Sequence, residues 1–159
     1  MATISSLLKP AHGSGGGGRQ PYYLDMTIDL TAQAISSTAG DVVQCLTIPA
    51  NTRVLHAGLQ VVTSATMNTG TNATASLGAG DADEFVATFD IDNAADGAYA
   101  PSATPSADVT LATADTLDVT FAGDGATYSA GKIRVYAVMM DVSDQGDVSA
   151  NEVDRDMLS

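Results

Sequence analysis

From Tyr22 onward the chain alternates apolar and polar residues with a period of two. Leu24, Met26, Ile28 and Leu30 stand against Asp25, Thr27, Asp29 and Thr31, the pattern of a strand with one wet face. Val42–Ile48 follows a Ser/Thr/Gly turn and closes at Ile48-Pro49-Ala50-Asn51, because proline cannot donate to a sheet ladder. Arg53–Thr63 sets Leu55, Ala57, Leu59 and Val61 on one face, and a shorter strand is expected at Ala73–Leu77. Phe85–Ile91 reads either as a strand pointing Phe85, Ala87, Phe89 and Ile91 inward or as a short helix. Asp115–Phe121 sets Leu117, Val119 and Phe121 against Asp118 and Thr120. Seven or so short strands joined by Gly, Asn and Asp turns, with no helical period, predict an all-β fold: an antiparallel β-sandwich or jelly roll. Ala94–Ala107, rich in Ala, Pro and Ser, is expected to be a long exposed loop, and loops of that length usually make contacts.

The last strand, within Gly131–Ser143, breaks the alternation. Ile133, Val135, Ala137 and Met139 fall on one face, while Tyr136, Val138, Met140 and Val142 fall on the other. A strand apolar on both faces is covered on both. The sandwich core supplies one cover. The other comes from a further segment of the same subunit or from a neighbouring subunit, and few apolar segments remain for the first option.

The flanks differ from this body. Residues 1–20 read as an extended N-terminal arm: Ile4, Leu7 and Leu8 form a small apolar patch, Pro10 stops any helix, and His12–Gly18 is a glycine-rich tether. Residues 21–143 form the sandwich domain. Residues 144–159 form a short acidic tail, in which Ser149-Ala-Asn-Glu152 is a capping-box pattern ahead of Val153, Met157 and Leu158. So short a helix needs a surface to dock on.

Charge sharpens the division. Residues 1–24 carry Lys9 and Arg19 and no acid, whereas residues 25–142 set fourteen acids against Arg53, Lys132 and Arg134. An acidic body repels phosphate backbones, so no nucleic acid is expected as a partner of the folded domain. The length of 159 residues fits one domain with arms, large enough to hold a core without staples. Cys45 is alone, so no intrachain disulfide forms. The N-terminus lacks a basic n-region, and no apolar run approaches the ~18 residues of a membrane span. The expectation is a soluble protein made in a reducing compartment, with no membrane partner.

Candidate chemistry is sparse. Gly13–Gly18 matches G-x-G-x-x-G, but an arm precedes it and Pro21 follows, so the strand and helix that a dinucleotide site needs are missing. No cofactor is expected. Asp81, Asp83, Asp92 and Asp96 concentrate carboxylates in neighbouring turns, as a hard cation would require. The EF-hand pattern fails, however, since Pro101 stands where its bidentate Glu belongs. Turn acids are the reading preferred, with a metal site as the alternative. His12 lies in the arm and His56 mid-strand, opposite the core face. Neither has partners spaced for a triad or a zinc site. Cys45 reads as a small buried hydrophobe. An enzyme is not expected.

Three segments carry a resemblance: Ile48–Thr52 (IPANT), Gly78–Val86 (GAGDADEFV) and Ala130–Ala137 (AGKIRVYA). Across roughly residues 42–142 the chain resembles small β-sandwich structural proteins of tailed bacteriophages. The resemblance implies a virion component at the capsid surface, made in the host cytoplasm. It points to a capsid decoration (cement) protein that trimerises, contacts the major capsid protein and bridges capsomers with extended arms. On that reading Ile4, Leu7 and Leu8 are arm anchors, and Tyr136, Val138 and Met140 are subunit contacts. The alternatives are another virion role (head fibre, neck or tail), an adhesive or carbohydrate-binding β-module with Tyr99 as its foothold, and a calcium-stabilised structural domain.

Overall fold

The computed structural model describes residues 3–4, 21–32, 34–102 and 109–142. Ten strands run along them: β1 Thr3–Ile4, β2 Tyr22–Asp29, β3 Val42–Ile48, β4 Thr52–Met67, β5 Ala73–Gly78, β6 Val86–Asp90, β7 Tyr99–Pro101, β8 Val109–Leu111, β9 Asp115–Gly123 and β10 Tyr128–Asp141. They build two sheets, with orders β1-β3-β9-β5-β6 and β2-β10-β4-β7, and β8 pairs with β4 beyond that path. All pairings are antiparallel except the two-residue ladder of β1 on β3. With β1 and β8 set aside, each sheet has four strands, and consecutive strands alternate between sheets except at the β5–β6 hairpin, as in the double Greek key of a jelly roll. The expected fold class is the observed one. Ile4 lies in β1 on the edge of the first sheet. Leu7, Leu8, the glycine tether and the capping-box tail lie outside the described residues.

The period-two pattern generates the core directly. Leu24 and Ile28 of β2, Val54, Ala57, Leu59 and Val61 of β4, and Ile133, Val135, Ala137 and Met139 of β10 point inward from one sheet. From the other come Val43, Leu46 and Ile48, Ala73, Ala75 and Leu77, and Leu117, Val119 and Phe121, all buried. Phe121 meets Tyr128 edge to face, with ring centroids 6.0 Å apart, and burial pushes the Tyr128 phenol up to about 12. Cys45 is buried, with Sγ 3.2 Å from the Val43 carbonyl, and its thiol is likewise pushed up to about 12 by burial. At that value it stays a protonated, unreactive hydrophobe.

Four expectations need correction. Leu55 is not on the core face of β4. Val138 pairs with His56 and Met139 with Val54, so Leu55 is the extra residue of a β-bulge and only half-buried. The bulge resets the phase, placing Val54 rather than Leu55 in the core. The ladder of β4 also runs on to Met67, past Thr63. Phe85–Ile91 is a strand and not a helix, but Leu77 pairs with Val86 and Ala75 with Phe89. This irregular register puts Ala87 out of phase and exposed, while half-buried Phe89 packs on the core. Finally, Ala94–Ala107 is not loop throughout. Tyr99, Ala100 and Pro101 pair with Gln60, Leu59 and Gly58; Pro101 is tolerated there because β7 is an edge.

Phe121 is fully buried between the sheets. Phe121→Ala is expected to cost about 3–5 kcal/mol, read as a lower midpoint with unchanged slope in urea unfolding.

Candidate interaction face

Residues opposite one another across an antiparallel ladder share a face, so the register of the β2-β10-β4-β7 sheet writes out its outer surface row by row. Asp29, Lys132 and Thr63 form one row. Thr27, Arg134, Gln60 and Tyr99 form the next, and then Asp25, Tyr136, Gly58 and Pro101. Tyr23, Val138 and His56 follow, and Met140, Arg53 and Thr110 close the face. Tyr136, Val138 and Met140 therefore project from one strand to the same side, each half-buried.

Tyr136 is the hub. Its ring stacks on Tyr23 at 6.5 Å and 20°, meets Tyr99 edge-on at 6.0 Å and 76°, and lies 5.8 Å from the His56 ring. It can lie flat across β4 because residue 58 is glycine. A Cβ there would run into the Tyr136 hydroxyl and the Ala100 carbonyl oxygen of β7. Partial burial raises the Tyr136 phenol above its ordinary value, with Tyr99 and Tyr23 adding to the shift. Tyr23 is 57% exposed and Tyr99 59%; both would present large apolar rings to water.

The polar residues of this face are organised around the aromatics. Arg134 Nε lies 3.8 Å from Asp25 Oδ2, its Nη1 donates to Gln60 Oε1 at 3.2 Å, and Lys132 Nζ lies 3.6 Å from Asp29 Oδ2. The two ion pairs are surface pairs worth little in stability, but they fix where charge sits. All three Lys and Arg residues of 21–142, namely Arg53, Lys132 and Arg134, project from this one face.

The opposite outer face is different in kind. Val42, Gln44, Ser76, Asp118 and Thr120 line it, with a shallow depression of about 350 Å³ between them and Ala79, Gly80 and Ala82. No Lys, Arg or aromatic ring projects from the ladder there among the described residues. Asp118 is half-buried, and burial raises its carboxyl above the ordinary 3.8 while the hydroxyl of Thr116 donates to it at 2.6 Å.

The structure holds the fold of known virus-shell chains. Three solved structures share it. "Capsid of Ralstonia phage GP4" matches at TM-score 0.64 and 19% identity, over 89% of this chain and 99% of the other. "Cyanophage Pam1 capsid asymmetric unit" matches at 0.63 and 21%, over 82% and 91%. "Acidic stable capsid structure of Helicobacter pylori bacteriophage KHP30" matches at 0.55 and 17%, over 76% and 86%. The fold is one found in bacteriophage capsids. No family model and no curated protein matches the sequence.

The acid-rich turns serve the backbone. Asp92 Oδ1 accepts from the Ala73 amide at 2.9 Å, and Asp96 Oδ1 accepts from the amide and hydroxyl of Ser64 at 2.8 and 3.0 Å. Asp81 and Asp83 stand exposed in the β5–β6 loop. Asp124, which the sequence reading did not single out, accepts from the amides of Thr71 and Asn72, both at 2.9 Å. Those backbone bonds hold its carboxyl below the ordinary range. Its only sequence signal is the turn Gly123-Asp124-Gly125, which fits many roles. Among the described residues no three His, Cys, Asp or Glu side chains converge as metal ligands.

Two outcomes follow. Adding EDTA is expected to leave the melting temperature unchanged in differential scanning calorimetry, and a drop of several degrees would restore the cation site. Asp118 has a raised folded-state pKa, so folding favours its protonated form and stability falls as pH rises through that value. Asp118→Asn removes this cost while its amide oxygen still accepts from Thr116. The variant is expected to melt about 1–3 °C higher at pH 7, with the difference vanishing below the ordinary carboxylate range.

Proposed function

We propose that this chain is a structural component of a bacteriophage virion, namely a capsid decoration (cement) protein. On this reading it sits on the capsid surface, binds the major capsid protein, and stabilises the head by bridging capsomers as a homo-oligomer, with a trimer the favoured order. The observation that carries the reading is the jelly roll shared with chains of three phage capsid structures, one of them matched over 99% of its length. A body with no convergent metal-binding cluster among its described residues is consistent with an adhesive role. Adhesion of this kind works by buried area, and many symmetry copies multiply a modest affinity at each contact. Ile4, Leu7 and Leu8 are the proposed arm anchors. Tyr136, Val138 and Met140 are the proposed contacts between subunits.

The carbohydrate-binding alternative gains one ring and loses its geometry. Tyr23 joins Tyr99 as an exposed aromatic. The rings, however, pack on one another around Tyr136 at 20° and 76° and do not lie coplanar, as a platform for successive sugar rings would require.

Purified protein is expected to bind expanded capsids in stoichiometric amount, and cryo-microscopy of particles should place it on the outer shell. Density at a fibre, neck or tail would assign one of the other virion roles. Deleting residues 1–20 is expected to leave the body folded and to weaken capsid binding at least tenfold in a co-sedimentation assay. Equal binding by the truncated protein would remove the arm from the mechanism.

A further inference from the structure

We propose that the outer face of the β2-β10-β4-β7 sheet binds a second copy of this chain. The proposal deepens the virion reading and rests on it only for the setting in which many copies meet.

Charge selects the partner. The whole chain carries −13, so two copies repel through most orientations. The described carboxylates other than Asp25 and Asp29 lie on the other sheet, in loops or at the end of β10. Only on this face do Arg53, Lys132 and Arg134 offset the acids, with Asp25 and Asp29 set 3.8 and 3.6 Å from Arg134 and Lys132. A copy approaching the other ladder brings carboxylate toward carboxylate with no Lys or Arg of the described residues between them. A copy approaching this one meets a near-neutral surface with both signs displayed.

Apolar area gives the same answer. Tyr23 and Tyr99, the exposed large hydrophobics of the described residues, both belong to this face, together with Tyr136, Val138 and Met140. No described segment lies over them, so among the described residues one apolar side of β10 stays uncovered. From strand spacing and rise, the face measures roughly 19 Å by 27 Å, or about 500 Å². Contact between this face and an equal area of a second copy would then bury on the order of 1,000 Å², which reaches the lower bound of a specific interface. The composition fits too: tyrosines at the centre, and Arg, Lys and Asp around them.

Sedimentation velocity on the full-length purified chain, without capsids, tests this. The wild type is expected to sediment as a discrete oligomer. Tyr136→Asp should weaken association at least tenfold. The double variant Tyr23→Ala/Tyr99→Ala, which alters only exposed rings and so spares folding, should weaken it several-fold. Ser76→Asp on the opposite face should leave the mass unchanged. Raising NaCl from 0.1 to 1 M, which shortens the Debye length from about 10 to about 3 Å, should tighten association, because it screens body-to-body repulsion. Folded variants that keep the wild-type mass, or a monomeric wild type, would overturn the proposal. Capsid binding separates the two readings. If a monomeric wild type decorates capsids and Tyr136→Asp does not, the face belongs to the shell, and only the second-copy proposal falls. If the chain oligomerises through this face but binds no capsid, the proposal stands and the virion reading falls.

Discussion

The packing of β10 between β2 and β4 is the constraint on which the rest of the structure depends. That strand sends Ile133, Val135, Ala137 and Met139 into the core and lifts Arg134, Tyr136, Val138 and Met140 to the other side. Its register with β2 fixes which carboxylates stand beside the cations, and its register with β4 fixes where glycine admits the tyrosine ring. A one-residue slip would exchange the two sets, burying Arg134 and exposing the core. The cost of burying an unpaired guanidinium makes the register close to all-or-none. The same ladder that specifies the fold thus specifies the chemistry of the outer face.

Much of the sandwich could be read from alternation alone, because most strands are wet on one face and the period survives. β2, β3, β5 and β9 lie within a residue or two of where the pattern puts them. Reading failed where a local irregularity shifts the phase or a strand is too short to show a period. At Leu55 a bulge inserts one residue, and an apolar side chain that continues the pattern drops out of the core. At Tyr99–Pro101 three residues in a Pro- and Ala-rich stretch form a strand only because β4 offers them a partner, a fact held in the tertiary structure. Ala87 leaves the core face as Leu55 does, because the register of β6 on β5 shifts between Val86 and Phe89.

The candidate face was half legible. Two-sided apolarity of β10 marks Tyr136, Val138 and Met140 as unusual without any structure. That Tyr23, His56 and Tyr99 converge on Tyr136 depends on pairings between residues far apart in the chain. The gathering of every body cation onto one face is invisible in a net charge, since Arg53 lies some eighty residues from Arg134 in sequence. The acid-rich turns illustrate the reverse: a cluster suggestive in one dimension disperses in the fold, with Asp92 and Asp96 capping separate backbone amides and Asp81 and Asp83 exposed.

Gly58 and Tyr136 occupy facing positions that cannot drift independently. Any side chain at 58 evicts the ring, and a small residue at 136 leaves bare backbone where the ring lay. In a lineage of such proteins the two sites would be inherited as a pair. A homologue with a bulky residue at 58 should have surrendered the aromatic at 136, and with it the means of holding the other rings in place. That single glycine is therefore a marker by which descendants that kept this surface can be told from those that rebuilt it.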